Sequence, residues 1–232
     1  MHRFWDKVIR PILVASQPRS IVEIGSLSGL NTFKLLDYCK LCDAECTVVD
    51  PGPQYNIELL EAYYERHVRV LKQFSLEALP TLQQYDMILI DGDHNWYTVY
   101  HELKEVERMA EGTGRFPTVL FHDTGWPYGR RDMYYFPDSI PEEYRQPFER
   151  KGMVPGKSEL LETGGFNSIA LNAVHEHGQH NGVLTAIEDF VKQSSFELDY
   201  YELSSNNGLG VLIPRNSELS RTLPYILASS GL

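Results

Sequence analysis

Strand-like and helix-like segments alternate along the first half of this chain. Short apolar runs predict five strands, and helical spacing of apolar residues predicts a helix between each pair. The predicted strands cover 20–24, 46–49, 69–71, 87–90 and 118–121, and the predicted helices cover 32–39, 57–67, 75–82 and 96–109. Such alternation favours a parallel sheet with helices on both faces. The sequence therefore predicts a doubly wound α/β fold with a mostly parallel, Rossmann-like sheet.

The last part of the chain departs from this alternation. A helix is predicted over 182–192, and strands are predicted over 196–203 and 209–213. Only the polar turn SSNNG connects these two strands, and strands on so short a connection pair antiparallel. We therefore expect five parallel strands followed by a terminal antiparallel strand pair, all within a single domain over residues 1–232.

Residues 124–180 form a long insertion after the fifth predicted strand, rich in Pro, Gly, Tyr and Arg. Loops of this length are usually functional, and this one leaves the sheet edge where open α/β sheets bind ligands. We expect a substrate lid; a structural excursion or a contact within a homo-oligomer is the alternative. Arg130 and Arg131, with tyrosines nearby, could grip an anionic group or a sugar, or could pair with surface carboxylates.

Charge and composition narrow the class of partner. The chain has 21 basic and 32 acidic residues, a net charge of −11 and no basic run. Nucleic acid and anionic membranes are therefore not expected as partners. The chain contains neither an apolar stretch of ~18 residues nor a signal-peptide pattern, so we expect a cytoplasmic protein. Cys39, Cys42 and Cys46 lack a fourth metal ligand at suitable spacing and are expected to be reduced thiols.

The segment IVEIGSLSGLNTF leads from the first strand into a helix. Gly25 and Gly29 allow a tight turn, but their spacing suits neither a dinucleotide nor a phosphate loop. A carboxylate with a nearby ammonium group fits better, with Glu23 supplying negative charge. Asp50 ends the second strand, where an acidic side chain can accept both ribose hydroxyls; capping the turn before Pro51 is the alternative. A nucleoside with an amino-acid tail and no phosphate describes S-adenosylmethionine.

These features resemble the class I S-adenosylmethionine-dependent methyltransferases. The resemblance rests on the glycine loop at 23–29, on Asp50, on the alternation of strands and helices and on the terminal antiparallel pair, although Leu27 stands where many members have glycine. The macrocin-type sugar and natural-product O-methyltransferases are similar in IDGDH at 90–94, in HD at 122–123 and in NGVLTAIEDF at 181–190. The cofactor-binding residues expected on this basis are Glu23, Gly25, Ser26, Gly29, Asp50, Ser75 and Asp91.

Acidic side chains follow two neighbouring strands. Asp91 follows the fourth strand, and His122 and Asp123 follow the fifth, so these residues should face each other. Carboxylates so close together require a neutralising charge. We expect Asp91, His122 and Asp123 to hold Mg²⁺ or Mn²⁺. A metal-free site that binds substrate hydroxyls is the alternative.

Asp93 and His94 are the candidate catalytic residues. Methyl transfer to a hydroxyl requires an oriented acceptor and removal of its proton, and a metal would lower the pKa of that hydroxyl. We favour His94 as the base because an imidazole titrates near neutrality. The HEHGQH tract at 175–180 is expected to be a solvated loop.

The predicted function is therefore metal-assisted O-methylation of a small-molecule or glycan acceptor, either a sugar or a secondary metabolite. A nicotinamide-dependent oxidoreductase and a non-catalytic S-adenosylmethionine-binding protein are the alternatives.

Overall fold

The computed structural model describes residues 1–232, and its centre is a seven-stranded sheet. The strands are β1 (Ser20–Ile24), β2 (Glu45–Val49), β3 (Val68–Leu71), β4 (Met87–Ile90), β5 (Thr118–His122), β9 (Leu198–Leu203) and β10 (Leu209–Pro214). Their order in the sheet is β3–β2–β1–β4–β5–β10–β9. The first five named are parallel, whereas β10 runs antiparallel to both β5 and β9. The predicted doubly wound fold and its terminal antiparallel pair are confirmed.

Seven α-helices flank this sheet. They are α1 (Arg10–Ser16), α2 (Thr32–Cys42), α3 (Ile57–Tyr64), α4 (Ser75–Ala78), α5 (Trp96–Thr113), α6 (Val183–Gln193) and α7 (Leu219–Ser229). Helices α1 and α7, at the two ends of the chain, were not predicted. Pro11 stands in the first turn of α1, directly after a π-helical segment over Trp5–Ile9. No helix of the structure has the length and apolarity that crossing a membrane requires.

The apolar core lies in two layers, one on each face of the sheet. Successive residues of β4 contribute to opposite layers, because side chains alternate along a strand: Met87 and Leu89 face one layer, Ile88 and Ile90 the other. The first layer includes the N-terminal helices, α2, α3 and α7, and the second includes α5 and α6. The parallel strands are thus packed on both faces, and their carboxyl ends share one edge.

The insertion carries a small sheet of its own. Its antiparallel strands are β6 (Met133–Tyr134), β7 (Phe148–Glu149) and β8 (Leu171–Ala173), with β8 in the centre. Asp132, which is fully buried, joins this sheet to the main fold. Its Oδ1 accepts hydrogen bonds from the backbone N–H of Trp96 (2.8 Å) and of Gly182 (2.6 Å). One carboxylate therefore caps the N-termini of both α5 and α6.

Asn181 and Gly182 directly precede α6 and contact the insertion. Its side-chain oxygen accepts the N–H of Asp132 at 2.7 Å, and its Nδ2 donates to the carbonyls of His175 and His177. Gly182 has φ +95°, and a Cβ there would lie 2.5 Å from the carbonyl oxygen of Gly129. These residues therefore serve the packing of the insertion against α6.

The buried carboxyl of Glu102 makes the free energy of unfolding depend on pH. This residue of α5 is fully buried, and burial raises its pKa to about 8, although the Ser75 hydroxyl acts in the opposite direction. A carboxyl whose pKa is raised on folding stabilises the protein fully below its unfolded pKa, and this contribution is lost as pH rises through about 8. We expect Glu102→Gln to be more stable than wild type at pH ~8.5, by roughly 2–4 kcal/mol, because a pKa unit is worth about 1.4 kcal/mol.

Urea unfolding at pH ~5 and ~8.5 measures this difference, which should nearly vanish at the lower pH. Glu105→Gln is the matched control on the same helix, since Glu105 pairs with Arg108 near the surface and should change stability by less than about 1 kcal/mol at either pH. Equal stability of Glu102→Gln and wild type at pH ~8.5 would contradict this account.

Candidate functional site

A cavity of about 660 Å³ opens at the carboxyl edge of the sheet. This size lies within the range of small-molecule sites, ~300–1,000 Å³. Its wall is built from the loops that follow β1 to β4, from the start of α5 and from part of the insertion. Seven of the predicted site residues line it: Gly25, Ser26, Asp50, Ser75, Asp91, Asp93 and His94. Glu23, Gly29, His122 and Asp123 lie behind that wall.

The glycine loop forms one side of the cavity by packing against the residues after β4. Gly25 has φ +83°, and a Cβ at this position would lie 2.2 Å from the carbonyl oxygen of Asp91. No other residue fits this close approach without moving the backbone. The loop also places Leu27 in a left-handed conformation, at φ +46°.

Asp50 fixes the conformation of this loop. Its Oδ2 accepts the N–H of Ser26 (2.8 Å), the hydroxyl of Ser26 (2.9 Å) and the N–H of Leu27 (2.9 Å). Its Oδ1 accepts the N–H of Gly52 at 2.7 Å and retains a second lone pair. The turn-capping alternative for Asp50 is therefore observed, and ribose binding through Oδ1 stays a prediction.

Glu23 lies beneath the loop and does not line the cavity. It is fully buried, its Oε1 accepts a hydrogen bond from Asn31 Nδ2 at 2.8 Å, and burial raises its pKa to about 7. Asn31 lines the cavity and connects Glu23 to it. Gly29 also acts indirectly: its φ is +81°, and a Cβ at this position would lie 2.6 Å from the Phe33 ring.

The residues after β4 and β5 meet in one hydrogen-bonded cluster. Oδ2 of Asp123 lies 2.7 Å from His94 Nε2 and 2.7 Å from His122 Nδ1. Oδ1 of Asp91 lies 3.2 Å from the same nitrogen of His122, and its Oδ2 lies 2.8 Å from the amino group of Met1. Donor atoms of Asp91, His122 and Asp123 all lie within 4.8 Å of one another. The structure thus brings the three predicted metal ligands together.

The cluster is electrostatically balanced by its own histidines. Burial would lower the pKa of His122, but hydrogen bonds and charge from Asp123 and Asp91 outweigh it and raise that pKa to about 9. The pKa of His94 is also raised, since Asp123 outweighs the effect of burial. Conversely, the two imidazoles hold the pKa of Asp123 far below its ordinary value despite burial. The neutralising charge can therefore come from protons on histidine as well as from a cation.

Asp93 and His94, the two candidate bases, differ in their hydrogen bonds: both carboxylate oxygens of Asp93 have a partner. Its Oδ1 accepts the N–H of His94 at 3.1 Å, and its Oδ2 accepts the hydroxyl of Thr98 at 3.0 Å. Burial raises the pKa of Asp93. Nδ1 of His94, in contrast, is buried and has no hydrogen-bond partner.

The insertion reaches the cavity through three residues, Tyr135, Phe136 and Ser139. The ring of Phe136 packs edge-on against that of Phe74 with centroids 5.3 Å apart, and the ring of Tyr135 lies 5.8 Å from that of His94. Neither Phe74 nor Phe136 was predicted as a site residue. No local signal marks them, because their contact joins positions 62 residues apart.

Arg130 and Arg131 do not line the cavity. Arg130 forms a two-pronged ion pair with Glu188 of α6, at 2.8 and 2.6 Å. Arg131 is fully buried and donates to the carbonyls of Ala173 and Ser158. Of the two alternatives for these arginines, the structure shows pairing within the protein.

The HEHGQH tract lies outside the cavity. His180 packs against Trp96 with ring centroids 4.0 Å apart, and the side chain of His177 is 71% exposed. This arrangement agrees with the predicted loop.

Comparisons with known proteins agree with the fold. Residues 22–124 match a family model described as a methyltransferase domain. The O-methyltransferase hkm8 of Aspergillus hancockii is 30% identical over 153 residues, which cover 56% of this chain and 60% of that relative. This chain therefore spans about three fifths of the fungal protein.

Two solved structures share the fold at low sequence identity. A Staphylococcus aureus protein, provisionally named a caffeoyl-CoA O-methyltransferase, has a TM-score of 0.51 and 16% identity, over 89% of this chain and 80% of that one. A Corynebacterium glutamicum protein has a TM-score of 0.50 and 12% identity, over 89% and 79%.

The contact between the glycine loop and β4 predicts a marked difference between two glycines of the cavity wall. Gly25→Ala should lower the free energy of unfolding by at least about 2 kcal/mol, because left-handed strain alone costs ~1–3 kcal/mol and the Cβ also meets Asp91. Gly52→Ala is the control, since a Cβ there meets nothing within 4 Å and should change stability by less than about 1 kcal/mol. Urea unfolding measures both; equal stability of the two variants would show that the loop is not packed as described.

Proposed function

We propose that this chain is a class I S-adenosylmethionine-dependent methyltransferase and that it transfers the methyl group of this cofactor to a hydroxyl oxygen of a sugar or secondary metabolite. The fungal O-methyltransferase relative supports oxygen as the acceptor atom. One observation carries the proposal: a single cavity extends from the glycine loop and Asp50 to His94. Donor and acceptor can therefore occupy one space.

The cofactor would occupy the side of the cavity formed by the loops after β1, β2 and β3. Its ribose hydroxyls would meet the free lone pair of Asp50 Oδ1, and the Ser75 region after β3 would face its base. Its ammonium and sulfonium groups are positive, and the carboxylates of Asp50 and Asp91 line the same cavity. Opposite charges at short range favour this orientation.

His94 is the proposed base. With Nε2–H donating to Asp123, the neutral imidazole keeps a lone pair on Nδ1, the nitrogen that has no partner. The acceptor oxygen would attack the methyl carbon as the carbon–sulfur bond breaks, with the electron pair passing to sulfur. The acceptor proton would pass to His94. Asp123 would then stabilise the imidazolium that forms, as an oriented carboxylate does in other acid–base sites.

A divalent cation is the proposed partner of Asp91, His122 and Asp123. Two carboxylates and one imidazole fit a cation that accepts both oxygen and nitrogen, such as Mn²⁺, and Mg²⁺ less closely. Such a cation would supply positive charge that lowers the pKa of the acceptor hydroxyl. Because the pKa of His122 is about 9, protons compete with the cation for this nitrogen.

The insertion, residues 124–180, is proposed to be the lid over the acceptor. Tyr135 and Phe136 support this role because they belong to the insertion and line the cavity beside His94.

Loss of the base should be visible in turnover and not in cofactor binding. We expect His94→Ala to lower kcat by ~10²–10⁴-fold, the usual contribution of a general base, while S-adenosylhomocysteine still binds in calorimetry. In wild type, kcat should rise with pH through an apparent pKa above 6.5, because Asp123 raises the pKa of His94 and only the neutral imidazole is a base.

The control for this variant is His177→Ala, which removes a mostly exposed histidine of the insertion and should keep full turnover. Asp93→Asn separates the two candidate bases. Full activity in His94→Ala together with loss in Asp93→Asn would assign the base to Asp93.

The cation is tested by binding as well as by activity. Calorimetry with Mn²⁺ should show binding that strengthens from pH ~6.5 to ~9 as His122 loses its proton, and Asp91→Asn should weaken it at least ~10-fold. Asp199→Asn is the control: it alters a carboxylate of β9 that pairs with Arg215, and it should leave Mn²⁺ binding unchanged. Chelation should abolish methyl transfer and added Mg²⁺ or Mn²⁺ should restore it. Absence of Mn²⁺ binding, together with activity that chelation does not change, would leave the site metal-free.

A further inference from the structure

We infer that the methyl acceptor is an uncharged aromatic compound with a ring hydroxyl. This inference rests on the proposed function and names the substrate class of the same cavity.

The first argument is the charge of the cavity wall. Four carboxylates line it, and neither an arginine nor a lysine does so. The insertion supplies two arginines to the neighbourhood, but Arg130 is paired with Glu188 and Arg131 is buried. The amino group of Met1 also lines the cavity, but it is paired with Asp91 at 2.8 Å. An acceptor with a phosphate, sulfonate or carboxylate would therefore lose its hydration without gaining an unpaired cationic partner from the side chains of the wall. Such acceptors are disfavoured.

The second argument is the aromatic character of the wall on the acceptor side. Tyr135 and Phe136 of the insertion line the cavity there and remain 56% and 52% exposed, and Phe74, which follows β3, meets Phe136 at the border with the cofactor side. Aromatic side chains held at a cavity and left this exposed present ring surface to a ligand. Ring pairs prefer edge-on or offset contacts, worth ~0.5–1.5 kcal/mol beyond the area buried. A planar aromatic acceptor would complete such contacts.

The third argument is the shortage of free polar groups near His94. Asp93 and Thr98 line the cavity but hydrogen-bond to each other, and the carboxylate of Asp91 is engaged with His122 and Met1. A sugar presents several hydroxyls, each of which needs a partner once buried. A ring with one or two hydroxyls makes a smaller demand, which His94 and the neighbouring cluster can meet.

A matched pair of acceptors tests the inference. 2,3-Dihydroxynaphthalene and its 6-sulfonate share one ring system and differ by an anionic group; methyl α-D-glucopyranoside represents a sugar. We expect kcat/KM for the uncharged naphthalenediol to exceed that for the sulfonate and for the glucoside by at least ~10-fold. Binding of each compound in the presence of S-adenosylhomocysteine, measured by calorimetry, should follow the same order.

A substitution in the cavity tests whether its wall causes the preference for the uncharged diol. Tyr135→Arg places a cation beside His94 and should shrink the preference for the uncharged diol at least ~3-fold by improving use of the sulfonate. Tyr225→Arg is the control, because Tyr225 is 76% exposed on α7 and does not line the cavity. It should keep the wild-type preference.

The outcomes separate this inference from the proposed function. If the sulfonate or the glucoside is methylated as well as the diol or better, the inference is overturned and the O-methyltransferase stands. If the cofactor product binds but the diol does not, the aromatic class is likewise overturned. If S-adenosylhomocysteine itself does not bind and no acceptor is methylated, the proposed function fails, and the inference fails with it.

Discussion

The paired hydrogen bonds to Oδ2 of Asp123 organise the candidate site. This single oxygen meets His94 from the loop after β4 and His122 from the end of β5. Asp123 must adopt φ +57° to turn its carboxylate back toward both rings. A left-handed non-glycine residue costs ~1–3 kcal/mol, and two hydrogen bonds to a charged carboxylate are strong enough to offset that cost. Without Asp123, the His94 ring would lose its one hydrogen bond, and His122 would keep only its contact with Asp91.

Asp132 plays the corresponding part for the insertion. Asp123 sets the direction in which the chain leaves β5, and nine residues later Asp132 caps the N-termini of α5 and α6. Directly after the second anchor, Met133 donates its N–H to the carbonyl of His94 at 2.9 Å. The aromatic pair Tyr135 and Phe136 follows at once. The position of the aromatic wall is thus a consequence of two buried carboxylates and one backbone contact.

Much of this arrangement could be predicted from sequence because the fold constrains it. Buried parallel strands have a strong apolar signal, and their carboxyl ends must share an edge, so Asp91 and Asp123 were expected to meet. The glycine loop could also be predicted, since only glycine tolerates the approach of Gly25 to the backbone after β4. At these positions the residue types and the strand topology predict the same arrangement.

Contacts between distant segments could not be predicted from the sequence. Nothing near Arg130 indicates that Glu188 will pair with it, and nothing near Phe74 indicates that Phe136 will cover it. The prolines of α1 and α7 hid two helices whose stability comes from packing on the core. Glu23 was expected to offer a negative charge to the cofactor, but it does not line the cavity, because Asn31 stands between its carboxyl group and the cavity, and burial raises its pKa to about 7.

The central claim is that one cavity holds the methyl donor and delivers it beside His94. A crystal structure of the protein with S-adenosylhomocysteine and an aromatic diol tests it most directly. The account predicts the ribose at Asp50, the sulfur directed toward His94, and an acceptor hydroxyl within hydrogen-bond reach of that imidazole, ~2.6–3.2 Å. A cofactor bound outside this cavity, or with its sulfur directed away from His94, would contradict it.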